Sequence, residues 1–132
     1  DNRLTSLAVP SGLTNLKALN LGDNCITAES ARGGLTNLTG LTRLWLHGNA
    51  LSNLTFLEGL SRLTILGLER NQISDLSPLL ELTNLVSLAL GGNPLVDFSA
   101  LSGLTNLASL STCTGRALNT SNSSWSYRTS KS

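Results

Sequence analysis

The sequence predicts an α/β solenoid: short parallel strands on one side, and 3₁₀ turns or irregular arms on the other. Three observations predict it. Asn24, Asn49, Asn71 and Asn93 recur at separations of 25, 22 and 22 residues. Counted forward from Asn71, apolar residues stand at +2, +5, +8, +11, +14, +17 and +19, which are Ile73, Leu76, Leu79, Leu82, Leu85, Leu88 and Leu90. Leucine occurs 31 times, and almost every copy falls on this lattice. With no Met and 4% aromatics, leucine alone must fill the core, which favours equivalent slots over an irregular interior.

The spacing within a unit assigns its parts. Steps of three suit a tight turn or 3₁₀ segment. The closing steps of three then two, as in LVSLALGGN, bring in a strand-like alternation. Each unit is therefore a short strand, an Asn turn and a return arm, and only a stack of units buries its apolar face. Strands recurring every 22 residues run parallel, about 4.8 Å apart. The repeated Asn is expected to turn inward and satisfy backbone groups at each bend. Asn53, Asp75 and Asp97, each four residues after a ladder Asn, are expected to cap the turns of the arms.

The stretches LTNLVSLALGGNPL and LTRLWLHGNALSNL resemble the leucine-rich repeat pattern LxxLxLxxNxL. The 22-residue period and NQISDLSPLLELTNL are similar to its bacterial internalin-like class. The resemblance covers about residues 2–111. It implies a parallel sheet on the concave side of the solenoid and a protein-binding role, bacterial and secreted or surface-associated.

The chain departs from the pattern in three places. The first full unit is three residues too long, and Glu29 and Arg32 stand where apolar residues are expected. This arm is expected to bulge outward as a loop carrying Gly33 and Gly34. The last repeat decays from Thr112 on, so the division is a solenoid over 1–113 and a Ser/Thr-rich tail over 114–132, disordered or a weak cap. In the tail, Leu118, Trp125 and Tyr127 are candidates for a lid. The chain also begins within a repeat, and a longer parent is expected.

Composition excludes several functions. A net charge of +1 gives no field for nucleic acid. No run of about 18 apolar residues is present, so no membrane insertion is expected, and the N-terminus lacks the basic-then-apolar pattern of a signal peptide, so none is expected. Cys25 and Cys113 lack metal spacing. They lie about four rungs apart, roughly 19 Å at strand spacing, beyond the about 7 Å that a disulfide spans. Two free thiols are expected, and no cofactor or metal. His47 is the sole histidine, with no nucleophile placed beside it, so no enzyme is expected.

The residues between strand leucines point to the concave face. Trp45 lies between Leu44 and Leu46, which take the core, so it stands on the open side between Asn20 and Gly67. The candidate partner-binding residues are Asn20, Asp23, Arg43, Trp45, His47, Ile65, Glu69 and Arg70. An exposed Trp beside Arg is the composition of a binding hot spot. A plainer role is also open, a Trp lying across Gly67 to cover leucine stems.

A second column, Thr14, Thr39, Ser61, Thr83 and Thr105, has Asn15, Asn84 and Asn106 beside it, and its hydroxyls are expected to bond the backbone at the turn into each strand. A remote alternative is an ice-binding Thr face, although its second column is broken by Gly40 and Arg62. Four Asn-x-Ser/Thr sequons occur, at Asn37, Asn53, Asn119 and Asn122. The expected function is a protein-interaction module for a partner protein, or a glycan, around Trp45. The alternative is a structural spacer of a longer repeat protein. The expected assembly is a monomer or a weak end-to-end stack.

Overall fold

The structure, a computed structural model, describes residues 2–112 and the backbone of 116–119. Five strands recur along the chain: β1 (Ala18–Asn20), β2 (Arg43–Trp45), β3 (Ile65–Gly67), β4 (Ser87–Ala89) and β5 (Ser109–Thr112). They pair in sequence order as parallel neighbours. The register places Leu19, Leu44, Leu66, Leu88 and Leu110 side by side. All but Leu19 of these are almost fully buried. Burying one such leucine contributes about 2 kcal/mol, so each rung adds the same increment by stacking on the last.

The Asn ladder forms as the spacing requires. Asn71, 7% exposed, donates through Nδ2 to the carbonyls of Leu46 and Leu68 at 3.0 Å each, and accepts at Oδ1 from the Leu51 N–H at 3.1 Å. Asn49 and Asn93 repeat this arrangement one rung to either side. Each bend therefore bonds its own strand end, the strand before it and the arm before it.

On the convex side, 3₁₀ turns span Thr55–Leu57, Ser77–Glu81 and Ser99–Gly103. Asn53, Asp75 and Asp97 cap them from two residues upstream. Their Oδ1 atoms accept the N–H of Thr55, Ser77 and Ser99 at 3.3, 2.9 and 2.8 Å. The Ser77 bonds hold the Asp75 carboxyl below its ordinary 3.8, and the Ser99 bonds do the same for Asp97.

The long arm is not the expected loop. It forms a helix, α1 (Ala28–Leu35), opened by a capping box in which Thr27 and Ser30 exchange bonds. Ala28, Ala31 and Leu35 face inward at helical spacing, which is why all three are buried. The three extra residues suffice to wind an α-helix, which rises less per residue than the 3₁₀ turns elsewhere. Glu29, Arg32 and Gly33 are exposed, as expected, while Gly34 is buried against Leu7.

A second correction concerns the Thr/Ser column. Along this column, among the described residues, the side chains that bond the neighbouring rung's backbone are the amides of Asn84 and Asn106. They donate to the carbonyls of Ser61 and Thr83 at 2.8 and 2.9 Å. The Thr42 and Thr64 hydroxyls do the same at each strand entry, at 3.0 Å. The column hydroxyls themselves make no such bond.

Within the expected tail, Arg116–Asn119 forms β6, which pairs antiparallel with β5. It occupies the sheet edge at that end of the stack. Cys25 is a free, exposed thiol. Cys113, Trp125 and Tyr127 lie outside the described residues.

Candidate functional site

The strand β2 alternates as expected: Leu44 and Leu46 are fully buried, and Trp45 is half-buried on the open sheet face between them. The indole leans toward β3, across Gly67. A Cβ on Gly67 would lie 2.9 Å from Trp45 Cδ1 and 3.2 Å from Glu69 Oε2. Glycine is therefore what allows the ring and the carboxylate to meet over one point of the sheet. Glu69 Oε2 is closed off from solvent there and accepts no hydrogen bond among the described residues.

His47, two residues on, leans the other way. Its ring lies over Gly22 on the side of β1, where any Cβ would collide with it. From there Nε2 approaches Asp23 Oδ2 at 3.6 Å. Asp23 also accepts a 2.9 Å hydrogen bond from Arg70, which reaches across the middle rung above Gly48. Both side chains of this pair are well exposed, so screening limits its worth to at most about 1 kcal/mol.

The backbone at this ion pair has a feature that was not read from the sequence. The residue before each ladder Asn takes a left-handed conformation: Asp23 at φ 54, Gly48 at φ 64, Arg70 at φ 55 and Gly92 at φ 73. Glycine adopts this conformation freely, whereas Asp and Arg pay of order 1 kcal/mol. The signal in the sequence was the glycine at two of the four positions preceding the Asn.

The structure therefore divides the eight candidates. Asp23, His47 and Arg70 form one group at the strand exits, and Trp45 and Glu69 form another over Gly67. Arg43 and Ile65 are register neighbours at the strand entries, and Arg43 is exposed without an ion pair among the described residues. Asn20 is committed locally, since its Oδ1 accepts the Gly22 N–H at 2.9 Å. Beyond β3 the face is flat and small: Ser87 and Ala89 on β4, then Gly91, with Ser109 and Ser111 on β5. Among the described residues no cluster of three or more His, Cys, Asp or Glu could hold a metal ion. No described helix is long and apolar enough to cross a membrane.

Comparison with known proteins agrees with this architecture. The profile for two-copy leucine-rich repeats matches residues 14–59, 39–81 and 61–106, and the chain belongs to the leucine-rich repeat family. An internalin (inlF) from Listeria monocytogenes superposes with a TM-score of 0.69 at 33% identity, covering 77% of this chain and 30% of the internalin. An internalin C2 (inlC2) from the same organism gives 0.66 at 31%, covering 83% and 57%. TLR13, solved in complex with ssRNA13, gives 0.68 at 25%, covering 84% of this chain and 18% of TLR13. The chain thus spans less than two thirds of each of these proteins. No curated protein matches the sequence. Proteins of this family are generally protein-interaction modules and typically lack enzymatic activity.

Proposed function

We propose that this chain is a non-catalytic interaction module whose partner, a protein, docks on the concave sheet around Trp45. One observation carries the reading. A large aromatic side chain is held half-exposed on the sheet face, over a glycine, where the positions that follow it in register, Gly67, Ala89 and Ser111, are small. A ring ordered before binding loses little further freedom on contact, and this is how Trp comes to dominate interfaces. The flat Ser/Ala/Gly floor beside it offers room for a partner's main chain. The same stacking platform suits a glycan, which is the second ligand class to test. A phosphate backbone is poorly served, because Arg43 and Arg70 share the face with Asp23 and Glu69.

The internalin-like architecture supports a bacterial, secreted or surface-attached setting for this role. A pure spacer is the competing reading, and it predicts that the identity of residue 45 is immaterial. The test is affinity capture from secreted and surface extracts with wild type and Trp45→Ala, after circular dichroism shows both folded. A partner retained by wild type and lost by the variant supports the concave site. Equal capture by both moves the site to Glu29–Gly34 or elsewhere. No capture by either favours the spacer.

A further inference from the structure

Resting on that reading, we infer that Trp45 and Glu69 form a recess for a cation, and that the partner places a Lys or Arg side chain in it. The first ground is electrostatic. Two carboxylates occupy the open face of rungs one to three. Asp23 is compensated by Arg70 at 2.9 Å and approached by His47 at 3.6 Å. Glu69 has neither an ion pair nor a hydrogen bond among the described residues, and its Oε2 is shut from solvent. A carboxylate with one oxygen shut from water and a donor on neither is disfavoured, and an incoming N–H donor with positive charge at the open oxygen, Oε1, relieves it.

The second ground is the neighbour. The carboxylate does not stand alone but meets the indole of Trp45 over Gly67. An aromatic ring and a carboxylate at one point suit an ammonium or guanidinium group, the ring by its quadrupole and the carboxylate by its charge. Among the described residues, the cations of this face are placed otherwise. Arg70 is turned back to Asp23, and Arg43 lies at the far end of β2, on the same strand as Trp45.

The third ground is access. In the register, Gly67 is flanked by Trp45 on one side and by Ala89 on the other. Gly91 lies beyond Ala89 on the same rung. Among the described residues, a side chain arriving over Ser109, Ser111, Ser87 and Ala89 therefore meets no bulk and no charge before it reaches the recess. The occupant is thus a basic side chain carried on a segment lying over the C-terminal half of the sheet.

The test uses the full 132-residue chain labelled with ¹⁵N. The indole resonance of Trp45 is assigned by its loss in Trp45→Phe, which separates it from Trp125. The probes are n-butylammonium and methylguanidinium chloride, with n-butanol and sodium chloride as controls. The expected result is a saturable shift of the Trp45 indole and the Gly67 and Glu69 amides with both organic cations, and none with the controls. Glu69→Gln, which keeps the shape, weakens that saturation about fivefold or more. Glu58→Gln, on an exposed convex position, leaves it unchanged.

Three results overturn the inference: no saturable shift in wild type, equal shifts with n-butanol, or Glu69→Gln titrating as wild type does. The underlying reading fails separately. A partner lost by Trp45→Ala but kept by Glu69→Gln preserves the concave site and removes the cation recess. A partner indifferent to both variants removes the concave site itself.

Discussion

Replacing Asn71 with Ala tests the claim that the ladder, and not leucine burial alone, holds the rungs in register. The side chain makes two 3.0 Å donations, to Leu46 O and Leu68 O, and accepts from the Leu51 N–H at 3.1 Å. The two carbonyls do not become orphans in the variant. Leu46 O keeps the amide of Asn49, and Leu68 O keeps that of Asn93. The Leu51 N–H does, in a residue that is fully buried. Leaving that donor unpaired costs about 1–3 kcal/mol, and the two lost donations add a reduced share because their acceptors retain partners. The expected total is about 2–4 kcal/mol, a fall in Tm of about 10 °C for a domain of this size. Urea and thermal melts followed by circular dichroism measure it, with Asn53→Ala as the control. That exposed cap holds only its own turn, and its loss costs about 1 kcal/mol or less. Equal losses for Asn71→Ala and Asn53→Ala would refute the argument. Asn71→Asp sharpens it, because the carboxylate keeps the Leu51 bond but sets an oxygen against two carbonyls. It is expected to destabilise at least as much as Ala.

Two further predictions concern the turns. Arg70→Gly removes one exposed ion pair and relieves a left-handed backbone, so it is expected to be neutral or to stabilise by up to about 1 kcal/mol. Gly48→Ala at φ 64 puts a methyl against Asp23 and is expected to cost about 1–2 kcal/mol; denaturant melts of the two variants should move in opposite directions or, at least, differ clearly. The acid response follows from Asp75 and Asp97, whose carboxyls titrate below 3.8 in the folded chain. A depressed folded pKa means that their contribution is present above the unfolded value and is lost as pH falls through the folded one. Stability should therefore decline below about pH 4, and the double variant Asp75→Asn, Asp97→Asn should flatten that decline in melts between pH 2 and 5. An unchanged slope would place the acid sensitivity elsewhere.

The repeat was legible because it is a one-dimensional signal. The leucine lattice, the Asn ladder, the Asx caps and the open-face position of Trp45 each follow from residue spacing within a unit. All of them recur at the expected places. What could not be read was where one repeat touches the next. Asp23 and Arg70 meet although 47 residues separate them, and the direction in which each ring leans from β2 was equally hidden. The long arm was misjudged for a related reason. Glu29 and Arg32 break the leucine lattice, whereas Thr27, Ser30 and the inward Ala28, Ala31 and Leu35 spell a capped helix.

The sequence by itself determined the solenoid. Period and apolar spacing dictate which atoms must leave water, and stacking is the one arrangement that removes them all. Only the tertiary structure decided the site. Whether Trp45 covers or presents, and whether Glu69 finds a partner, depends on the glycines that adjacent rungs set beneath them. Parallel strands about 4.8 Å apart bring together side chains a full repeat distant in the chain. The left-handed turns before each Asn then aim Asp23 and Arg70 at each other, leaving Glu69 beside the indole without a donor among the described residues.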